Sequence, residues 1–273
     1  MQIPFKPTQP EMSMNSSSYH EMQTNQMSET GVSLFYQFKT AHEEITSLPV
    51  IPDGCIDILF NLSSAAPSVM VAASPTQRRL EVFESNTEYF CVRLTADQHI
   101  LKFTCTIKEL IQHKVLPLED ACSPGLVSFD ELHSLSSLSD RAAWFLAAFE
   151  STDNPFGNHD NLIRYCIHQI HSSKGLISVN QLAELTGYSD RYVRKKFEEY
   201  IGFSPKQFCQ IVRLQYTIHL LMNEQYAFKE ILDQQIFYDK AHVYKEFKKY
   251  MSMTPMQYSK LLQDINGTTI AVH

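Results

Sequence analysis

The chain has 273 residues, of which 44% are hydrophobic and 19% are charged, and its formal net charge is −7. This length is enough for two domains, and this composition favours folding over disorder. The chain has no run of about eighteen apolar residues. Its first residues also lack the basic-then-apolar pattern of a secretory signal, so we expect a cytoplasmic protein without membrane contact.

The first half of the chain predicts a β-rich domain. Residues 1–30, rich in Gln, Ser, Met and Asn, predict a flexible N-terminal arm. Short runs of Val, Ile and aromatic residues follow, separated by turn-forming residues. Strands packed this closely along a chain are typical of a small barrel or sandwich. The predicted strands are Val32–Phe38, Ile56–Phe60, Val69–Ala72, Leu80–Phe83 and Tyr89–Leu94.

The second half predicts helices. After residue 106 apolar residues recur at helical spacing, and residues 151–160, with their Pro and Gly, predict a linker. We therefore expect an α+β protein. A β-rich sensory or dimerisation domain with a helical end should cover 31–152, and an all-α domain should cover 161–265.

Charge is divided unevenly between these two regions. Residues 1–160 carry 9 Lys and Arg against 20 Asp and Glu, whereas residues 161–273 carry 14 against 10. The balance is therefore −11 in the first region and +4 in the second. Such an asymmetry is expected when one part of a protein meets nucleic-acid phosphates and the other does not.

The helical region contains an internal repeat with an offset of fifty residues, in which residues 182–208 align with 232–258. Each copy predicts helix, turn, helix, turn, helix, so the repeat predicts two copies of one structural unit. The identical pairs are Leu182/Leu232, Tyr188/Tyr238, Val193/Val243, Lys195/Lys245, Phe197/Phe247, Tyr200/Tyr250, Pro205/Pro255 and Gln207/Gln257.

Capping residues fix the breaks in the first copy. Ser178 and Gln181 predict a capping box for a helix at Val179–Leu185, which should stop at Gly187. Ser189 predicts the start of a second helix, Asp190–Tyr200. Further start signals follow at Ser204-Pro205-Lys206-Gln207 and, in the second copy, at Thr254-Pro255-Met256-Gln257.

The helix Asp190–Tyr200 should have one apolar and one basic face. Its apolar residues recur at i, i+4 and i+7 and should face the core, which leaves its basic residues on the opposite side. A short basic helix after a glycine turn fits the major groove of DNA, although a solvated basic face is the simpler alternative. The apolar residues are Val193, Phe197 and Tyr200, and the basic ones are Arg191, Arg194 and Lys195.

At these residues the chain resembles the AraC/XylS family of transcription regulators. The similarity covers 161–263, and its strongest segments are Ile177–Ala183, Gly187–Asp190, Gly202–Pro205 and Tyr238–Pro255. It implies seven helices, two of which enter successive major grooves on one face of the DNA. The helix Ile211–Met222 would connect the two motifs.

The resemblance also implies contact residues. Bases would be read by Arg191, Arg194 and Lys195 in the first motif and by Lys240, Ala241, Tyr244 and Lys245 in the second. Phosphates would be bound by Ser189, Lys206, Lys248 and Lys249. The second motif departs from the family pattern at Ile236 and Ser252, where relatives have glycine, so its base contacts are less firmly implied.

The front of the chain resembles a poorly characterised domain that precedes many such regulators, through 48–60, 91–94 and 115–120. Arg78 and Arg93 could receive an acidic effector there, or could make ordinary surface ion pairs. Asp53 should cap a turn and Asp57 should bond within its strand.

Other chemistry has weaker support. His168 and His171 have possible metal-ligand spacing but no evident third ligand, and a catalytic Cys55 would need a base that the sequence does not place. The six cysteines are scattered, without a Cys-x-x-Cys pair. We therefore predict no catalytic residue, no metal site and no cofactor.

The chain is thus expected to be a bacterial-type regulator that binds double-stranded promoter DNA at boxes about one helical turn, ~34 Å, apart. RNA polymerase is an expected partner. A small-molecule or protein effector at the N-terminal domain and a homodimer are possible. The alternative is a DNA-repair or other enzyme that carries the same DNA-binding unit.

Overall fold

A computed structural model describes residues 5–23, 31–42, 46–98, 101–122, 129–149, 159–222 and 240–270 of the chain. The fold is α+β, as predicted: strands dominate the N-terminal part, up to residue 149, and the C-terminal part, from residue 159, is helical. None of the helices in these ranges is both long enough and apolar enough to cross a membrane.

The N-terminal part is built on a six-stranded antiparallel sheet with the order β1-β2-β7-β4-β5-β8, while β3 and β6 pair separately. All five predicted strands are present, and β1, β3 and β8 were not predicted. The strands are β1 Ser18–Gln23, β2 Val32–Lys39, β3 Thr46–Val50, β4 Ile56–Asn61, β5 Ser68–Ala73, β6 Arg79–Phe83, β7 Glu88–Leu94 and β8 Val115–Pro117.

Of the two predicted architectures, the structure has the sandwich. Because β1 and β8 are the two edges of the large sheet, that sheet is open over the described strands and does not close into a barrel. One of its faces packs on the β3–β6 pair, where Phe38 meets Phe83 edge to face at 5.3 Å. The other face packs on helices, where Phe35 meets Phe145 at 5.8 Å.

Five helices lie within the described residues of the N-terminal part. The one at Ile107–His113 begins with a capping box, in which the backbone N–H of Glu109 donates to the Thr106 hydroxyl at 3.2 Å. These helices are α1 Pro10–Asn15, α2 Ile107–His113, α3 Leu118–Ala121, α4 Phe129–Ser134 and α5 Leu138–Phe149.

Part of the predicted flexible arm is packed against the rest of the protein. Residues 10–15 form α1, whose Glu11 and Met12 are both 2% exposed, and residues 18–23 form β1 beside β2. Gln9 donates to the Ile51 carbonyl at 2.8 Å and accepts from its N–H at 2.9 Å, as a neighbouring strand would. Composition did not predict this because these bonds are made to residues about forty positions away.

Arg93, a candidate effector residue, is instead bound inside the protein. It is 2% exposed and donates two bonds of 2.9 Å to Asp57 of the neighbouring strand, with Asp53 at 3.6 Å. Burial alone would lower the pKa of Arg93, but the two carboxylates raise it above its ordinary value. The alternative of a surface ion pair at Arg93 is therefore wrong, because the pair is buried. An acidic effector at Arg93 would have to displace Asp57 and Asp53. The predicted turn is present, since Asp53 accepts the Cys55 N–H at 3.0 Å.

Arg78 is also occupied. Its guanidinium donates to both oxygens of Glu11, at 2.8 and 2.5 Å, and this hydrogen bonding raises the pKa of Arg78. An acidic effector at Arg78 would therefore have to displace the buried carboxylate of Glu11.

The C-terminal part contains six described helices around a single apolar core. The connector expected at Ile211–Met222 is the last two thirds of one continuous helix, which begins at Pro205. The helices are α6 His159–Ser172, α7 Val179–Thr186, α8 Asp190–Ile201, α9 Pro205–Met222, α10 Lys240–Met251 and α11 Pro255–Ile270.

The two parts touch at several points. The backbone at Gly202, which ends α8, lies so close to α2 that an added Cβ would come within 2.7 Å of Ile111. Gln215 of α9 donates to the carbonyl of Pro52 at 2.7 Å. The backbone N–H of Arg78 donates to the carbonyl of Tyr250 at 2.7 Å. Contacts to the N-terminal part therefore reach both halves of the repeat.

His171 also lies at this junction. Its ring stacks on Phe5 at 4.2 Å, and its buried Nε2 has no hydrogen-bond partner among the described residues. Burial lowers the pKa of His171 to about 4, helped by His168 and opposed by Asp97. Among the residues that the structure describes there is no cluster of metal-ligating side chains.

We expect the chain to lose stability on acidification because of His171. The unfolded state takes up a proton near pH 6.5, whereas the folded state does so only near pH 4. The unfolded state therefore binds more protons between these values, and the free energy of unfolding should fall by up to ~3 kcal/mol as the pH drops from 6.5 to 4. Urea denaturation at a series of pH values measures this.

The variant His171→Phe keeps an aromatic ring against Phe5 and cannot titrate, so its stability should be flatter in this pH window. His168→Gln, at an exposed position, is the matched control and should behave like the parent. An unchanged pH profile in His171→Phe would contradict the assignment.

Candidate nucleic-acid interface

The capping signals of the first motif are present as predicted. Gln181 donates its N–H to the Ser178 hydroxyl at 3.2 Å, and its side chain accepts the Ser178 N–H at 2.8 Å. Helix α7 ends at Gly187, whose φ of 72° is left-handed. Ser189 then caps α8 by accepting the N–H of Tyr192 at 3.3 Å. The helices are therefore joined by the glycine turn that the sequence indicated.

Helix α8 has one buried face and one exposed basic face. The predicted apolar positions are buried, except that Tyr200 is half-buried and Ile201 completes the core. The three basic side chains predicted to read bases are all exposed, which leaves their donors accessible to a duplex. The buried residues are Val193, Phe197 and Ile201, and the exposed basic residues are Arg191, Arg194 and Lys195.

One weak internal contact exists on this face. Arg194 Nη2 lies 3.8 Å from Asp190 Oδ2, and the two side chains are 46% and 43% exposed. An exposed pair one helical turn apart contributes at most ~0.5 kcal/mol. DNA can therefore displace Asp190 from Arg194 at little cost.

Helix α10 repeats this arrangement fifty residues later. Val243 and Phe247 are buried, like Val193 and Phe197, and Lys245 is exposed, like Lys195. Of the other predicted base-contact residues, Ala241 is exposed and Tyr244 is half-buried, and the side chain of Lys240 lies outside the described residues. The helix that the repeat predicts before α10, and Ile236 after it, also lie outside them.

Ser252 occupies a position that calls for glycine. Its φ is 59°, in the left-handed region, and its N–H donates to the carbonyl of Lys248 at 3.0 Å. Gly202 holds the same place after α8 with a φ of 76°. The missing glycine that we noted in the sequence therefore leaves the helix end intact, with a strained serine.

Replacing this serine should stabilise the protein. We expect Ser252→Gly to raise the free energy of unfolding by roughly 0.5–1 kcal/mol, because glycine adopts positive φ without steric cost. Ser259→Gly, in the interior of α11, should lower it by a similar amount. Thermal unfolding measures both, and a destabilised Ser252→Gly would contradict the account.

The four predicted phosphate-binding residues differ in availability. Lys206 and Lys248 are exposed, and the hydroxyl of Ser189 is used in capping α8. Lys249 donates to Gln210 at 3.0 Å and to the Tyr250 hydroxyl at 3.1 Å, so a phosphate would have to compete with these bonds.

Sequence reasoning missed a buried ion pair behind the second motif. Arg213 of α9 donates two bonds of 2.8 Å to Glu246 of α10, which is 4% exposed. Two features of the sequence could have indicated this pair. Glu246 is the single acidic residue of the basic helix α10 and falls at a position where the helical pattern is apolar. Arg213 is the single arginine of the mostly apolar helix α9.

The cysteines do not have the environment of nucleophiles. Burial is the main cause that raises the pKa of Cys55 well above its ordinary value, and Asp53 adds to it. All six cysteines are free thiols, and burial raises the pKa of Cys209 to about 12. A catalytic thiolate needs the opposite shift.

Comparison with known proteins finds similarity over parts of the chain. Residues 182–261 match the family model of a helix-turn-helix domain. The chain is 37% identical over 82 residues to an uncharacterized HTH-type transcriptional regulator of Haemophilus influenzae, covering 30% of this chain and 28% of that protein. It is 29% identical over 100 residues to the F1 operon positive regulatory protein of Yersinia pestis, covering 36% and 32%.

The Msm operon regulatory protein of Streptococcus mutans is 26% identical over 119 residues, covering 44% of this chain and 42% of that protein. The matches thus span less than half the length of these relatives. Among solved structures, an apo form of ToxT from Vibrio cholerae is 14% identical, covering 91% of this chain and 99% of that one, with a TM-score of 0.41.

Proposed function

We propose that this chain is a sequence-specific, DNA-binding transcription regulator of the AraC type that reads two adjacent major grooves. The match of residues 182–261 to the model of a helix-turn-helix domain supports this proposal. The observation that carries the proposal is the repeated helix face, since α8 and α10 bury equivalent residues and expose lysine at equivalent positions. Arg191 and Arg194 would read bases, because arginine can bond a guanine edge at two points.

We further propose that the N-terminal part modulates this binding. A cavity of about 280 Å³ lies between residues 96–98 and 101–107 on one side and the helices α6 and α8 on the other, with Leu101, Phe103 and Ile163 in its wall. An effector there would contact both parts of the protein. If DNA binding is the same in variants that fill this cavity, such as Cys105→Phe, the cavity has no such role.

The proposal includes promoter DNA and RNA polymerase as partners and leaves dimer formation to be measured. An enzyme that carries the same DNA-binding unit is the alternative. It would need an activated thiol, and the raised pKa of Cys55 does not support one. A methyl-acceptor assay with alkylated DNA distinguishes the two.

Selection of bound duplexes from a random DNA library by the full chain tests the proposal. We expect one enriched sequence with two boxes about 10 base pairs apart, centre to centre. Binding should also weaken steeply between low and moderate salt, by roughly 10³-fold or more if at least six phosphates are contacted. Recovery of no preferred sequence would overturn the proposal.

A further inference from the structure

We propose that Arg213 and Glu246 are positioning residues that fix the distance and angle between the two reading helices, and with them the box spacing that the protein accepts. This inference rests on the proposed function. The inference names two residues that determine how the reading helices are placed. Neither side chain belongs to the exposed basic faces of α8 and α10.

Arg213 joins three elements. Its Nε and Nη2 donate to the two oxygens of Glu246 on α10 at 2.8 Å each, and its Nη1 donates to the carbonyl of Gly175 at the corner between α6 and α7. That corner is pressed against α9, because a Cβ on Gly175 would overlap the carbonyl oxygen of Cys209. One guanidinium therefore binds the corner before the first motif to the reading helix of the second.

Glu246 receives further bonds from the same side. Gln210 of α9 donates to it at 3.1 Å, and the carbonyl oxygen of the Gln210 side chain accepts from the Tyr250 hydroxyl at 2.8 Å. Two residues one turn apart on α9 thus hold two residues one turn apart on α10. Such paired contacts restrict rotation of α10 about its axis as well as sliding along α9.

Burying this ion pair between two helices costs free energy of hydration. The Glu246 side chain is 3% exposed and that of Arg213 is 14% exposed, so both charges lose much of their hydration. Apolar residues of similar size could fill the same space without such a cost, but they would accept several orientations. A bidentate arginine–carboxylate bond has one preferred geometry, which is the property that two-box reading needs.

Two measurements on the double variant Arg213→Met/Glu246→Leu test the inference. The first is the distance distribution between spin labels placed at positions 195 and 245. It needs no DNA, and we expect the variant's distribution to be at least about twofold broader than the parent's because the geometric constraint is lost. The second is affinity for the selected duplex and for the same duplex with one base pair inserted between its boxes.

For the parent we expect the inserted base pair to weaken binding at least ~10-fold, the size of effect that a lost base contact produces. For the double variant we expect a loss of less than ~3-fold, with little change in affinity for a duplex that carries the first box alone. Lys196→Met/Glu199→Leu is the matched control. It removes an ion pair of 3.1 Å that lies within α8 and joins no other element.

The outcomes separate the possible failures. An unchanged distance distribution and an unchanged spacing penalty would overturn the inference. If the double variant does not fold, Glu246→Gln keeps the shape and removes the charge, and it must then show the broader distribution. If the parent prefers no DNA sequence, the proposed function fails, and the distance measurement still decides the role of the pair.

Discussion

The double variant Arg191→Ala/Arg194→Ala should lose its preference for the selected DNA sequence while remaining folded. Each arginine that bonds a guanine edge contributes about 1–3 kcal/mol of discrimination, so affinity for the specific site should fall ~30-fold or more. Affinity for random duplexes should fall much less, because phosphate contacts elsewhere remain. Both side chains are exposed, so the free energy of unfolding of the variant should stay within ~0.5 kcal/mol of the parent's value.

Competition titrations with specific and random duplexes measure this ratio. Lys196→Ala is the matched control, since it removes a positive charge from the same helix at a residue bonded to Glu199. It should weaken both kinds of binding slightly and equally. If the double variant kept its sequence preference, α8 would not be the helix that reads bases in the first motif.

Arg93→Leu should cost about 3–5 kcal/mol of stability, the largest single effect that we expect in the N-terminal part. Among the described residues, Arg93 is the only cation that forms an ion pair with Asp57, and the substitution removes it. Asp53 also loses its charged neighbour at 3.6 Å. Burial already raises the pKa of Asp57, so without Arg93 this carboxylate becomes costlier still. Denaturant unfolding of the full chain measures the loss.

The double variant Arg93→Leu/Asp57→Leu should recover part of this stability, because Asp57 is then no longer a buried charge without a cation. Asp53 still loses its charged neighbour, but it keeps the hydrogen bonds from the Gln9 side chain and the Cys55 N–H. Arg79→Leu is the matched control. Arg79 pairs with Glu81 nearer the surface, with both side chains about 20% exposed, and its loss should cost no more than ~1 kcal/mol. A small effect of Arg93→Leu would show that the buried pair contributes little to the sheet.

Features decided by neighbouring residues could be predicted from the sequence. The five strands, the capping of α7 and α8 and the two faces of α8 all follow from local periodicity and cap chemistry. The sequence did not predict strand β3, because its only described partner, β6, is about thirty residues away and Pro49 interrupts the strand pattern.

Features decided by distant residues could not be predicted. Arg93 looked like a candidate effector site because the sequence does not show that strands β4 and β7 pair in a register that puts Asp57 opposite it. Residues 5–15 looked flexible because their partners are Ile51, Asp53 and Gln215. In both cases the missing information is the pairing of segments far apart in the chain.

The bond between Thr8 and Gln215 has a consequence for how the protein is made. Thr8 donates its N–H to the Gln215 side chain at 2.8 Å across 207 positions, and the same amide donates to Pro52. During synthesis, residues 5–15 leave the ribosome before helix α9, and they cannot complete their packing until α9 has also emerged. The described N-terminal and C-terminal parts therefore complete their folding together.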